Sequence, residues 1–224
     1  MKILDCESNE SIDKSLESII GVPINKIEKF LTDFDCEDIY KKYTFDDDIR
    51  EIIAKEISIY FKVKCDFDAT CWFHITRAFA KNDFKSGILP LSKIIDKIWE
   101  DLFKLTLNDF TELEWIEFRN QMENASLDCR HADLYKLKLN NEVGQGPFAI
   151  LIKELAFPDN HLNNIDFIDL PEIVTDICNC FDKKYGYNLL ERYLSNTKKY
   201  IIKFSSNEHD SLNLVLLLYI NIGY

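Results

Sequence analysis

Apolar residues recur at three- and four-residue intervals along most of this chain and give way to strict alternation in one place. Through the first 65 residues the spacing predicts helices. Ser11 caps a short helix that runs to Ile20, and Pro23 opens a second that runs to Phe34. The run Asp46-Asp47-Asp48 precedes IREIIAKEISIYF, where acidic groups face the positive end of a helix dipole. The three carboxylates could instead hold a divalent cation, but no complementary ligand spacing follows them.

From Asp68 the period changes to two. In ATCWFHIT, Cys71, Phe73 and Ile75 share one face and Trp72, His74 and Thr76 the other, which predicts a strand. After a GILPL turn, Ser92 caps SKIIDKIWEDLFKL. Its apolar stripe of Ile94, Ile95, Ile98, Trp99, Leu102 and Phe103 opposes Asp96, Lys97, Glu100 and Lys104. TELEWIEFRNQMEN predicts a further helix. Gly144 and Gly146 bracket a turn before PFAILIKEL, which reads as a core strand. Asp169 and Pro171 mark the start of the helix PEIVTDICNCFDKK, and YNLLERYL predicts another. KKYIIKFSS has the β-branched and aromatic content of a strand, and DSLNLVLLLYI, apolar nearly all round, reads as a buried helix. Together these elements predict an α+β fold: small mixed or antiparallel sheets flanked by many helices, with a helical N-terminal third. The division falls at a helical subdomain over 1–66 and an α+β domain over 67–224, unless the chain is a single domain.

Composition narrows the class. Of 224 residues, 46% are hydrophobic and 13% aromatic, enough for a substantial core. A net charge of −12 opposes unaided docking on a long nucleic acid backbone and suits a basic partner. The seven cysteines form no CxxC pair, so they read as free thiols in a reducing cytosol. The N-terminus lacks the apolar core of a signal peptide, and LNLVLLLYINIGY is too short to span a bilayer. The chain therefore reads as soluble and cytoplasmic, with no membrane partner and no metal site.

Few residues declare chemistry. His74 and Thr76 lie on one strand face about 7 Å apart, where two polar groups can grip vicinal ribose hydroxyls. Arg77, one step further, could reach a phosphate or carboxylate. The alternative is a half-buried histidine satisfied within the fold. Gly144-Gln145-Gly146-Pro147 lacks the lysine of a phosphate loop and reads as a tight turn. Cys129-Arg130-His131-Ala132-Asp133 holds three groups suited to nucleophilic catalysis, but adjacency in sequence rarely orients a triad. DFDCED over 33–38 lacks the glycine and final glutamate of a calcium loop.

WFHITR, followed at a short interval by FKSGILPL, resembles the first conserved block of the ADP-ribosyltransferase fold. The similarity is to its histidine-bearing branch, which includes poly-ADP-ribose polymerases, RNA 2′-phosphotransferases and nucleic-acid-targeting bacterial toxins. It covers about 20 of the 224 residues. The resemblance implies that His74 holds the nicotinamide ribose of NAD, supported by Thr76. Backbone at Ile75, where the family usually has glycine, would meet the carboxamide. Arg77 would flank the site, and Phe84 to Leu91, with Phe84 and Leu89 facing the ligand, would close one wall. It also implies a late glutamate that stabilises an oxocarbenium-like transition state. Glu154 is the candidate because it ends the expected core strand, while Glu191 and Glu208 flank the last strand without a motif.

Two functions follow as expectations. The first is an NAD-dependent ADP-ribosyltransferase, in the manner of a bacterial toxin or anti-phage effector, with a nucleic acid or protein acceptor. The second is an acidic, non-enzymatic immunity protein or antitoxin that covers a basic toxin.

Overall fold

A computed structural model describes the chain except residues 35–48, 81, 83, 125, 141–145, 147, 158–169, 208–210 and 223–224, with backbone alone at 49–51 and 217–222. The fold is α+β: a three-stranded mixed sheet among many helices. Strands β1 (Ile3–Leu4), β2 (Ala69–Phe79) and β3 (Thr197–Ser206) lie in the order β1-β2-β3. β1 is parallel to β2, pairing Ile3 with Ala69 and Leu4 with Thr70. Trp72 Nε1 donates to Ser206 Oγ and Arg77 Nε to Thr197 Oγ1, so β3 runs antiparallel to β2.

The chain divides into two compact units, neither continuous in sequence. The first comprises Met1–Phe73, Ile150–Leu155 and Lys203–Tyr224; the second comprises His74–Ala149 and Ala156–Ile202. β2 and β3 each contribute residues to both.

The first unit contains helices α1 (Asn9–Ile20), α2 (Ile24–Thr32) and α3 (Ile49–Phe61) and the late helix α9 (Ser211–Ile222). Ser8, not Ser11, caps α1: its side chain accepts from Ser11 N, and Gly21 closes the helix in the left-handed conformation. Pro23 precedes α2 as expected. The triple aspartate lies outside the described residues, as do Glu208, His161 and most of DFDCED. Leu4, Leu16, Ile19, Ile27, Ile53, Ile57, Leu212 and Leu216 fill one apolar core. Within α9, Leu212, Val215 and Leu216 are buried while Leu214 is 38% exposed, so its described face is one-sided where an all-round apolar sequence predicts burial throughout.

The second unit is built on α4 (Leu91–Lys104), α5 (Glu112–Glu123), α6 (Arg130–Asn140), α7 (Glu172–Tyr185) and α8 (Leu189–Asn196). α4 begins one residue before the expected cap. Pro90 takes the N-cap position without a side-chain bond, and its lack of an N–H costs nothing there. α5 starts with a capping box in which Thr111 Oγ1 accepts from Glu114 N while Glu114 Oε2 accepts from Thr111 N. α6 was not anticipated from the sequence. The core is aromatic: Trp99 meets Trp115 at 5.3 Å and Phe118 at 5.6 Å between centroids, and Phe118 meets Phe181 at 5.0 Å. Trp99 Nε1 satisfies its buried N–H on Tyr135 Oη at 2.9 Å.

Two further expectations are corrected. PFAILIKEL is not a core strand. Ile150 makes a single antiparallel bridge to Phe73, and Lys153–Ala156 then turn into a 3-10 helix. An apolar run of this length satisfies a strand, a turn or a buried helix equally well. Nor are all the cysteines free. Cys6, Cys65, Cys71 and Cys178 are thiols, but Cys129 and Cys180 are joined in a disulfide.

Candidate functional site

β2 carries the expected alternation at its centre. Phe73 is 1% exposed, whereas Trp72 and His74 are half-buried. His74 Nδ1 donates to the carbonyl of Phe148 at 2.7 Å. In the neutral ring, that bond places the proton on Nδ1 and leaves Nε2 as the acceptor. The Phe148 backbone is used in this way while its side chain is 73% exposed. An uncovered aromatic ring is thus anchored at the residue whose carbonyl orients the histidine.

Since Trp72 meets Ser206, the even-numbered residues of β2 and β3 share a sheet face. His74 and Thr76 therefore face the same way as Tyr200 and Ile202. Phe84 packs its ring edge-on against Tyr200, centroids 5.2 Å apart. Its backbone has φ +51, the left-handed region that an aromatic residue seldom occupies, and its N–H is held by Asn82 Oδ1 at 3.1 Å. Gly87, at φ +77, completes the turn that brings the GILPL segment back toward α4. The structure thus places Phe84 on the His74/Thr76 face. Leu89 is 40% exposed, and Ile75 is half-buried on the opposite side of the strand.

Arg77 has a different role from the one expected of a phosphate-seeking guanidinium. Nε donates to Thr197 Oγ1, and Nη2 donates to both Leu194 O and Thr197 O, each at 3.1 Å. Arg77 therefore caps the C-terminal end of α8 and ties it to β2. Tyr193 returns the tie by donating its hydroxyl to Arg77 O at 3.3 Å. Burial pushes the Tyr193 phenol up to about 12, which keeps it a donor.

Glu154 lies on the 3-10 turn of the first unit, whereas His74 belongs to the second. The strand-end position that singled it out does not exist, so no catalytic role is assigned to it. Glu191 instead serves the N-cap of α8, Asn188: its N–H donates to Asn188 Oδ1, and Asn188 Nδ2 donates to Glu191 Oε2.

Charged groups also gather in the first unit. Lys203 Nζ contacts Asp5 Oδ2 at 2.6 Å and Glu7 Oε2 at 2.8 Å, and Lys153 Nζ contacts Glu7 Oε1 at 2.8 Å. The hydrogen bonds from Lys153 and Lys203 hold the Glu7 carboxyl down at about 2, and the two carboxylates raise the Lys203 ammonium despite its partial burial. A lysine held protonated in this way is a poor nucleophile, so the cluster is an ionic clasp joining the segment after β1 to β3 and Lys153. In the second unit a surface hollow of ≈ 570 Å³ is lined by Tyr187, Asn188, Glu191, Arg192, Ser195 and Asn196, with Gly186 at its edge. Its arginine is engaged, stacking on Tyr187 at 4.7 Å and pairing with Asp109 at 3.1 Å.

Among the described residues no group of three or more histidine, cysteine, aspartate or glutamate side chains could hold a metal ion, and no helix is long and apolar enough to cross a membrane. The fold and this sheet face define an α+β protein with an oriented histidine beside exposed and packed aromatic rings. Compared with known proteins, the chain matches no protein-family profile, no curated protein and no solved structure.

Phe148 and Tyr200 are the site residues that sequence reasoning missed. For Tyr200 a signal existed, since strand parity with Ser206 places it, but only once the strand partner is known. For Phe148 the only sign was a large apolar residue next to Pro147.

Proposed function

We propose that the protein is an NAD-consuming transferase of the ADP-ribosyltransferase type, acting in the cytoplasm as a toxin or defence effector. The observation that carries the reading is the orientation of His74. Its Nδ1 is committed to Phe148 O, so Nε2 is directed to accept from a hydroxyl on the face it shares with Thr76. A ribose diol on that face would give one hydroxyl proton to Nε2 and place its second hydroxyl near Thr76. Phe84 and Phe148 offer apolar surface for a flat heterocycle beside the sugar. The reaction is displacement of nicotinamide at the anomeric carbon by an acceptor from nucleic acid or protein. Positive charge develops on the ribose and needs a nearby anion.

The test is NAD binding by calorimetry together with nicotinamide release by chromatography, using the wild-type chain and His74→Ala. Binding by the wild type, reduced at least tenfold in a variant with an unchanged circular dichroism spectrum, supports the reading. Absence of both binding and release in the folded wild-type protein refutes it.

A second reading, an acidic immunity protein or antitoxin, is favoured by one face of α5. Leu113 is 79% exposed and Ile116 47%, flanked by the exposed Glu112 and Glu117 on a chain of net charge −12. Apolar anchors rimmed by carboxylates suit a basic partner. Co-purification with the product of a neighbouring reading frame and loss of affinity with added salt would separate this reading from the first.

A further inference from the structure

The segment Cys129-Arg130-His131-Ala132-Asp133 opens α6, and its side chains meet α7 along one seam. Cys129 and Cys180 are bonded there, with Cα atoms 6.0 Å apart across a sequence separation of 51. One helical turn before Cys180, Asp176 is 2% exposed. It accepts from His131 Nδ1 at 2.8 Å and from Lys138 Nζ at 2.6 Å. Lys138 also reaches Glu172 at 3.1 Å, Asn179 Nδ2 approaches His131 Nε2 at 3.3 Å, and Lys183 binds the carbonyl of Asp128. Ala132 and Tyr135 of α6 and Ile177 of α7 are fully buried in the same core.

The seam is therefore held by more than the disulfide. A buried carboxylate with two cationic or N–H partners, and a continuous apolar face, keep α6 on α7 if the S–S bond is cut. The two thiols would then stay within reach of each other. Their effective concentration stays high, and re-formation of the bond is intramolecular.

The two cysteines also differ in exposure. Cys129 is 9% exposed and Cys180 is 1% exposed. Cys129 immediately precedes the first turn of α6, and its carbonyl accepts from Ala132 N at 2.9 Å. A thiolate at a helix N-terminus is stabilised by the dipole, whereas one buried within α7 is not.

We propose that Cys129 and Cys180 form a reversible redox site, a dithiol/disulfide couple entered through Cys129 by dithiols and disulfides of low molecular weight. In reduction, a thiolate of the external dithiol attacks Cys129 Sγ. The Cys129–Cys180 bond breaks, and Cys180 leaves as a thiolate that takes up a proton. The second thiol of the reagent attacks the resulting mixed disulfide and departs as a cyclic disulfide, releasing Cys129 as a thiolate that takes up the second proton. Two electrons and two protons pass from reagent to protein, and oxidation is the reverse.

The experiment uses the full chain, equilibrated in mixtures of reduced and oxidised dithiothreitol of set ratio. Samples are acid-quenched, denatured, alkylated and mapped by mass spectrometry. The expected result is loss of two reactive thiols from the seven of the reduced chain, both mapped to Cys129 and Cys180. The oxidised fraction should change tenfold against the reduced for each tenfold change in the reagent ratio. Reduced wild-type protein should keep its far-ultraviolet circular dichroism and tryptophan emission. Within that same folded sample, iodoacetamide should label Cys129 at least tenfold faster than Cys180.

Three outcomes overturn the proposal. The first is that all seven thiols remain alkylatable at every ratio. The second is that reduction unfolds the protein, which makes the bond a structural staple. The third is that Cys180 is labelled as fast as Cys129, which removes the entry point. No variant is required, so a folding defect cannot obscure the answer.

Discussion

Replacing Arg77 with alanine separates a structural arginine from a ligand-binding one. The guanidinium makes three hydrogen bonds at 3.1 Å, to Thr197 Oγ1, Thr197 O and Leu194 O. Hydrogen bonds to a charged group contribute about 1.5–3 kcal/mol each when isolated. These three share one cation that is only half-buried, so water replaces part of each after truncation. A total loss of about 2–4 kcal/mol follows, the larger end applying if the α8 carbonyls stay unsatisfied. For a chain of this length each kcal/mol lowers Tm by about 2–4 °C, so a fall of about 4–16 °C is expected. Thermal unfolding followed by the emission of the buried Trp99 and Trp115 measures it. Arg77→Lys should recover less than half of the loss, because an ammonium cannot span the three acceptors. A Tm within 1 °C of wild type, together with abolished NAD binding, would sink the capping role and return Arg77 to the ligand.

Two further predictions concern stability away from the sheet face. Lys153 and Lys203 hold Glu7 at about 2, below the value of about 4.3 in an unfolded chain. Its stabilising contribution is therefore complete above pH ~4.3 and is lost as pH falls through ~2, in keeping with linkage. Glu7→Gln should flatten this limb of an acid titration of stability, and an unchanged acid limb would contradict the clasp. Thr111→Ala removes the reciprocal cap of α5 and should cost about 1 kcal/mol in urea unfolding, with an unaltered slope.

Much of this fold is written locally. The β2 alternation from Cys71 to His74 and the α4 stripe of Ile95, Ile98, Trp99 and Leu102 are legible because each period buries one face, although Ile75, next in the β2 series, stays only half-buried. Thr111 and Glu114 announce α5 through a contact three residues apart. α6 was hidden because RHADLYKLKLN is polar at most positions, and its buried residues, Ala132 and Tyr135, make too short a stripe to stand out. PFAILIKEL failed for the opposite reason, since its apolar run fits several structures and only the partner Phe73 decides among them. The sheet face was half-legible: parity places His74 beside Thr76. The bond to Phe148 spans 74 residues, and the Phe84–Tyr200 contact joins segments still more remote in sequence. The disulfide is hidden in the same way, because spacing alone cannot pair two cysteines among seven.

The discontinuous first unit sets an order of assembly during synthesis. Its core needs Leu4 and Leu16 from the beginning of the chain and Leu212, Val215 and Leu216 from near the end. The whole second unit lies between them, interrupted only by Ile150–Leu155 of the first, so its aromatic core can close while α9 is still inside the ribosome. Until α9 emerges, the faces of α2 and α3 that pack on it lack that cover. The N-terminal helices are thus the stretch of this nascent chain that a chaperone would hold longest.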